Sequence, residues 1–187
     1  MFNVLYEDLP DTFNGVPIDT SYQTAIQIQE ILSNRELVER EAIEIAISYL
    51  SGDDGSIPEE LWVDCLSWWL NGWCNDDTVD AEDDVKVMDF GHDQWRIVSA
   101  FRSQYGIDLT DSNVDMHWWV FMGLLSTVNE CAYTRVCDIR GKKLDSKMSA
   151  DERSVYTKLK RIYSLQSEQE KQEIKEEKER ILAILDD

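Results

Sequence analysis

Two adjacent tryptophan pairs, Trp68-Trp69 in "SWWLNGW" and Trp118-Trp119 in "DMHWWVFMGLL", constrain this chain more than any other feature. A helix turns about 100° per residue, so neighbouring side chains cannot share one narrow stripe. A helix bearing such a pair must therefore be covered on more than one side. The cover is either the protein's own core, with the pairs facing each other across helices, or another polypeptide. Each buried Trp removes roughly 150 to 250 Å² from water, worth about 4 to 6 kcal/mol as an upper bound. Seven tryptophans and 43% hydrophobic residues in 187 positions are enough for one substantial domain with an appendage.

Periodicity and punctuation lay out the elements. "DTFNGVPID" holds Asn14-Gly15, a strong short-range hairpin signal, and Pro17 lacks an amide donor, so the hairpin is expected to be small and at an edge. Helical spacing follows in "DTSYQTAIQIQEILSN", through Tyr22, Ala25, Ile26, Gln29 and Ile31/Leu32, with Asp19, Thr20 or Ser21 as cap. A second helix, "RELVEREAIEIAISYLSG", is predicted to turn Leu37, Ala42, Ile45, Ala46 and Tyr49 inward, with Gly52 beyond its end. "SIPEELWVDCLSWWLNGW" opens with Pro58 and two acids and places Trp62, Trp69 and Trp73 on one face, Trp68 on another.

Further along, "MDFGHDQWRIVSAFRSQYG" reads as a helix capped by Asp89 and stopped by Gly106, with Trp95, Val98, Phe101 and Tyr105 as its apolar side. The second tryptophan pair sits in a helix expected from about Val114 to Val128. A shorter helical piece, "YTRVCDIRG", comes next, and Ser149 with Glu152 forms a capping box that starts another helix. Ser167 and Glu170 repeat that signature at the head of a charged stretch. The predicted fold is mainly α: a single helical domain over 1–165 with a small N-terminal β-hairpin, then a charged helical extension over 166–187.

Chemistry is sparse. No Gly-rich phosphate loop, GxSxG or HExxH is present, and the two histidines, His92 and His117, have no metal-ligand spacing. His117 is expected to be a buried imidazole bonded to a carboxylate or a backbone carbonyl. Cys65, Cys74, Cys131 and Cys137 contain no CxxC pair and read as free thiols. "NDDTVDAEDD", residues 75–84, is expected to be a solvated, mobile loop extending to about residue 86; it lacks the turn glycine and closing Glu of a calcium loop. No metal, cofactor or active site is expected, and the chain reads as a non-enzyme.

Charge placement says more. The formal net charge of −20 argues against nucleic acid or anionic membrane as partner. The start "MFNVLYEDLP" has no basic leader and no run of 18 apolar residues occurs, which predicts a cytosolic protein. Arg135 to Arg161 nevertheless holds nine basic residues against four acids, while 166–187 holds eight acids against four bases. This basic segment is expected either to compensate acids within the molecule or to dock an acidic surface.

"MDFGHDQWRIVSAFRSQYGIDL", then "DMHWWVFMGLL" and later "KLKRIYSL", together with "FNVLYEDLP" and the Asn-Gly hairpin, resemble the bacteriophage gene-product-fifteen family of tail proteins over about residues 1–165. The resemblance implies a gene between those of the tail tube and the tape-measure protein, and hence a tail assembly chaperone in the host cytoplasm. Its client would be the tape-measure protein, with the tail tube protein a second candidate partner and weak self-association expected. Candidate contact residues are Trp68, Trp118, Arg140, Lys142 and Lys143. Two rivals stand beside this reading. An acidic DNA mimic would suit the charge but should space its carboxylates over a face, whereas six acids here crowd into 75–84. An enzyme would need convergent polar groups that the sequence does not display.

Overall fold

Asn14 and Gly15 both take left-handed backbone conformations, φ 51° and 82°, and close a two-residue turn between β1 (Thr12–Phe13) and β2 (Val16–Pro17). Two consecutive positive φ values match the right-handed twist of the flanking strands. The pairing is antiparallel, Thr12 with Pro17 and Phe13 with Val16. The computed structural model describes residues 3–52, 57–74, 86–145 and 147–165; the acidic stretch 75–84 and the extension 166–187 lie outside the described residues.

Seven α-helices follow among the described residues: α1 (Tyr22–Ser33), α2 (Glu39–Ser51), α3 (Trp62–Asn71), α4 (Phe90–Tyr105), α5 (Trp118–Ser126), α6 (Ala132–Gly141) and α7 (Ala150–Ile162). A 3-10 turn, Glu59–Leu61, leads into α3. The protein is thus mainly helical with a small N-terminal hairpin, as its periodicity predicts. Local chemistry sets the helix ends. The Ser21 hydroxyl accepts from the Thr24 N–H at the head of α1, Asp89 Oδ1 accepts from the His92 N–H at the head of α4, and Ser149 and Glu152 close a reciprocal capping box on α7. Gly106 stops α4 at φ 70°, where a side chain would be strained.

The chain divides into two compact units. Unit 1 comprises Met1–Asp80 and Val98–Asn129, and unit 2 comprises Ala81–Ile97 and Glu130–Asp187. In unit 1, α1 packs on α2 and α5, and α2 packs on α3. Its core holds Ile28, Leu50, Trp69, Phe101, Trp118 and Phe121, all shut off from water. Phe121 stacks against Tyr22 at 4.9 Å and Phe101 at 5.0 Å. In unit 2, α6 packs on α7, and Ile97, Tyr133 and Val136 are buried.

Three sequence expectations need correction. The helix bearing the second tryptophan pair starts at Trp118, because the preceding chain is held extended: the Tyr22 N–H bonds the Met116 carbonyl and the Trp118 N–H bonds the Thr20 carbonyl. Leu37 precedes α2, and the helix buries Ala42, Ala46, Ile47 and Leu50 while Tyr49 is exposed. Apolar residues on nearly every side of "AIEIAISYL" leave its inward stripe undetermined by periodicity. On α4, Trp95 is 69% exposed rather than inward.

Candidate functional site

The last carbonyls of a helix have no partner within it. In α3 every one of them is met. The Gly72 N–H bonds the Trp68 carbonyl at 2.8 Å, the Trp119 indole N–H bonds the Trp69 carbonyl at 2.8 Å, and the Trp118 indole N–H bonds the Leu70 carbonyl at 3.3 Å. The Cys74 N–H takes the Asn71 carbonyl at 3.2 Å. Side chains one residue apart on α5 diverge by about 100°. Trp118 and Trp119 can therefore reach two adjacent carbonyls of α3, which sit about 100° apart round the end of that helix. The rings also meet: Trp119 lies edge-on to Trp68 at 5.4 Å and stacked near Trp69 at 6.2 Å, so the two pairs face each other across helices. Unit 1's own core covers most of both pairs.

His117 sets the direction of α5. Its Nδ1 accepts from the Trp119 N–H at 3.0 Å, which places the ring proton on Nε2, 3.1 Å from the Pro10 carbonyl it then donates to. Burial pulls the imidazole below its ordinary pKa, against the opposing effect of the Pro10 bond. The histidine is thus a neutral cap that ties the N-terminal segment to the tryptophan helix.

Beside this cluster, unit 1 carries an open cavity of about 640 Å³. Asn3, Val4, Tyr6 and Leu9 form one wall; Gly72 and Trp73 meet it from the end of α3, and Trp119, Val120, Gly123 and Leu124 from α5. Among the described residues, no charged side chain lines it. Val4, Leu5 and Tyr6 are exposed, Leu5 at 88%. Gly123 has open space where a side chain would project. Such a groove can hold an apolar face of another polypeptide.

Unit 2 is organised round a buried carboxylate. Asp93 is fully buried and accepts from Arg140 and Arg96, and Arg140 is itself 6% exposed. Arg140 also bonds the carbonyls of Val87 and Tyr163. Burial pushes the Tyr133 hydroxyl and the Cys137 thiol upward in pKa, so both stay protonated near neutrality. A second cavity of about 760 Å³ lies among Val87, Arg135, Ile139, Lys142, Tyr156 and Leu159. Lys142 sits over the Tyr156 ring at 5.7 Å.

The five contact residues expected from sequence therefore separate. Trp118 and Arg140 are interior, correcting their expected place on a contact surface: Trp118 fills the core of unit 1, and Arg140 neutralises a buried acid. Trp68 is half-buried between Phe13 and Trp119, and Lys142 and Lys143 are exposed. Sequence reasoning missed the exposed apolar residues Leu5 and Tyr6 at the groove, and Val155 and Ile162 on α7. The spacing of seven between Val155 and Ile162 was the available signal for α7. The four cysteines are free thiols. Among the described residues no group of three His, Cys, Asp or Glu could hold a metal ion, and no helix is long and apolar enough to cross a membrane.

A family model described as "Bacteriophage Gp15 protein" matches residues 7–165. No curated protein and no solved structure matches the chain.

Proposed function

The chain belongs to the bacteriophage Gp15 protein family, and on that premise we propose that it is a non-enzymatic tail assembly chaperone working in the host cytoplasm. It holds the tape-measure protein soluble while tail tube subunits polymerise round it, and it self-associates weakly. The observation that carries this reading is the groove of unit 1, walled by Trp73, Trp119, Val120 and Leu124 and without a charged side chain among its described lining residues. A long client helix presents similar apolar turns repeatedly, and a groove whose described lining is mainly apolar suits such degenerate recognition. The exposed Lys142 and Lys143 add a salt-sensitive attraction to acidic turns.

Co-expression with the tape-measure product tests this. The soluble fraction of the client should rise with the parent protein and fall back when Gly123→Arg plugs the groove. Lys142→Glu with Lys143→Glu should reduce it only at low salt. A client equally insoluble with and without the protein sinks the chaperone reading. Capture of a DNA-binding protein, with no effect on the tape measure, transfers the case to the DNA-mimic alternative.

A further inference from the structure

The charge asymmetry seen along the sequence falls on the two units. Among described residues, unit 1 carries fifteen acids against Arg35, Arg40 and Arg102, while unit 2 carries eleven basic residues against seven acids. Each unit also exposes an apolar surface. In unit 2 this is the outer face of α7, where Val155 is 54% and Ile162 68% exposed. Seven residues apart, they lie two turns along one side of the helix, with exposed Lys158 and Arg161 beside them. The adjoining side of α7 is engaged within unit 2: Tyr156 and Leu159 are half-buried, Leu159 one turn from Val155, and Lys160 Nζ donates to the Lys142 carbonyl at 2.7 Å. In unit 1 the apolar surface is the groove, whose N-terminal wall continues through exposed Glu7 and Asp8 between lining residues Tyr6 and Leu9.

We propose that this protein associates head to tail, the outer face of α7 from one copy docking in the unit 1 groove of a second copy. The geometry and the charge agree on this pairing. The groove takes an amphipathic helix through its apolar face, and α7 offers Val155 and Ile162 at the spacing such anchoring uses. Lys158 and Arg161 then approach Glu7 and Asp8, whereas two α7 faces paired with each other would bring like charges together, as would two grooves. Because the two surfaces differ, the contact is heterologous, and a chain of copies keeps one free groove at one end and one free α7 face at the other. The same groove serves client and neighbour, so client competes with self-association. This deepens the weak self-association within the proposed function, but it is decided on the protein alone.

Sedimentation velocity of the full chain over a concentration range tests it, using two variants. Val155→Glu with Ile162→Glu removes the helix face, and Gly123→Arg fills the groove at a position with open space. Parent protein should assemble beyond a dimer as concentration rises, and less so at high salt. Each variant alone should associate at least about tenfold more weakly, with an unchanged circular dichroism spectrum. Mixed one to one, they should form a heterodimer that grows no further, since one still offers α7 and the other still offers a groove. A parent monomeric throughout, either variant assembling like the parent, or a mixture of folded variants that stays monomeric overturns the proposal. Intact assembly without any effect on tape-measure solubility would instead overturn only the chaperone reading.

Discussion

The guanidinium of Arg140 grips the carboxylate of Asp93 through two hydrogen bonds, Nη1 to Oδ2 at 2.5 Å and Nη2 to Oδ1 at 3.1 Å, with both side chains sealed from water. Arg96 adds a bond to Oδ1 at 2.8 Å and the Asp89 N–H one to Oδ2 at 3.1 Å. Arg140 also holds the Val87 and Tyr163 carbonyls, so one side chain joins the entry to α4, α6 and the end of α7. Removing one member strands a buried charge, which costs about 3 to 5 kcal/mol. Arg140→Ala and Asp93→Ala should each lower the unfolding free energy, read from urea denaturation, by that amount, while the exposed Lys142→Ala stays within about 0.5 kcal/mol. The double Arg140→Met, Asp93→Leu should lose less than either single change, because no fully buried charge is left unpaired; Arg96, which also loses Asp93, is partly exposed to water. Equal or greater loss in the double variant would contradict this account.

The tryptophan pair of α5 has two separable functions in stability, volume and hydrogen bonding. Trp118→Ala and Trp119→Ala each empty a core site and should cost about 3 to 5 kcal/mol. Trp119→Phe keeps most of the ring but leaves the Trp69 carbonyl without its donor, and should cost about 1 to 3 kcal/mol. Thermal or denaturant unfolding distinguishes these. A Trp119→Phe variant as stable as the parent would show that the indole bond to α3 contributes nothing.

Gly72 is required by proximity rather than by backbone conformation. Its φ of −67° suits any residue, yet a Cβ there would lie 2.3 Å from Trp119 Cζ2 and 2.6 Å from the Trp68 carbonyl oxygen. Gly72→Ala should therefore destabilise by about 1 to 3 kcal/mol, the usual cost of overpacking. Elsewhere on a helix the same change is stabilising by about 1 kcal/mol. An increase in melting temperature for Gly72→Ala would mean that the Trp119 ring yields freely.

Features written within a few residues were legible in the sequence. Asn14-Gly15, the Ser149–Glu152 box, Asp89 as cap and Gly106 as stop each rely on bonds or torsions local to the motif. The mutual cover of the tryptophan pairs was legible as one of two options, since it follows from helical geometry. Arg140 was not, because its partner Asp93 lies 47 positions away and an arginine in a basic run reads as surface. The start of α5 depends on pairing with Thr20 and Tyr22, nearly a hundred residues earlier. The groove draws its walls from three separate stretches, none of them unusual alone. Long-range juxtaposition is what periodicity does not encode.

His117 makes the last relationship testable by pH. Its Nδ1 faces the Trp119 N–H, so a second ring proton would set donor against donor at the head of α5. Burial already holds the folded imidazole below its ordinary value of 6.5. Between the lowered folded pKa and 6.5 the unfolded chain binds more protons, so unfolding free energy rises with pH across that window. The contribution of His117 is full above 6.5 and is lost as pH falls through the folded value. Asp19 acts lower down: against the upward pull of burial, bonds from the Ser21 N–H and the Thr24 hydroxyl hold it below 3.8. Urea midpoints at pH 7.5 and 5.5 should therefore differ for the parent, and differ less for His117→Gln, whose side chain does not titrate. Equal loss in both proteins would place the acid sensitivity somewhere other than His117 and leave its neutral cap without a role in stability.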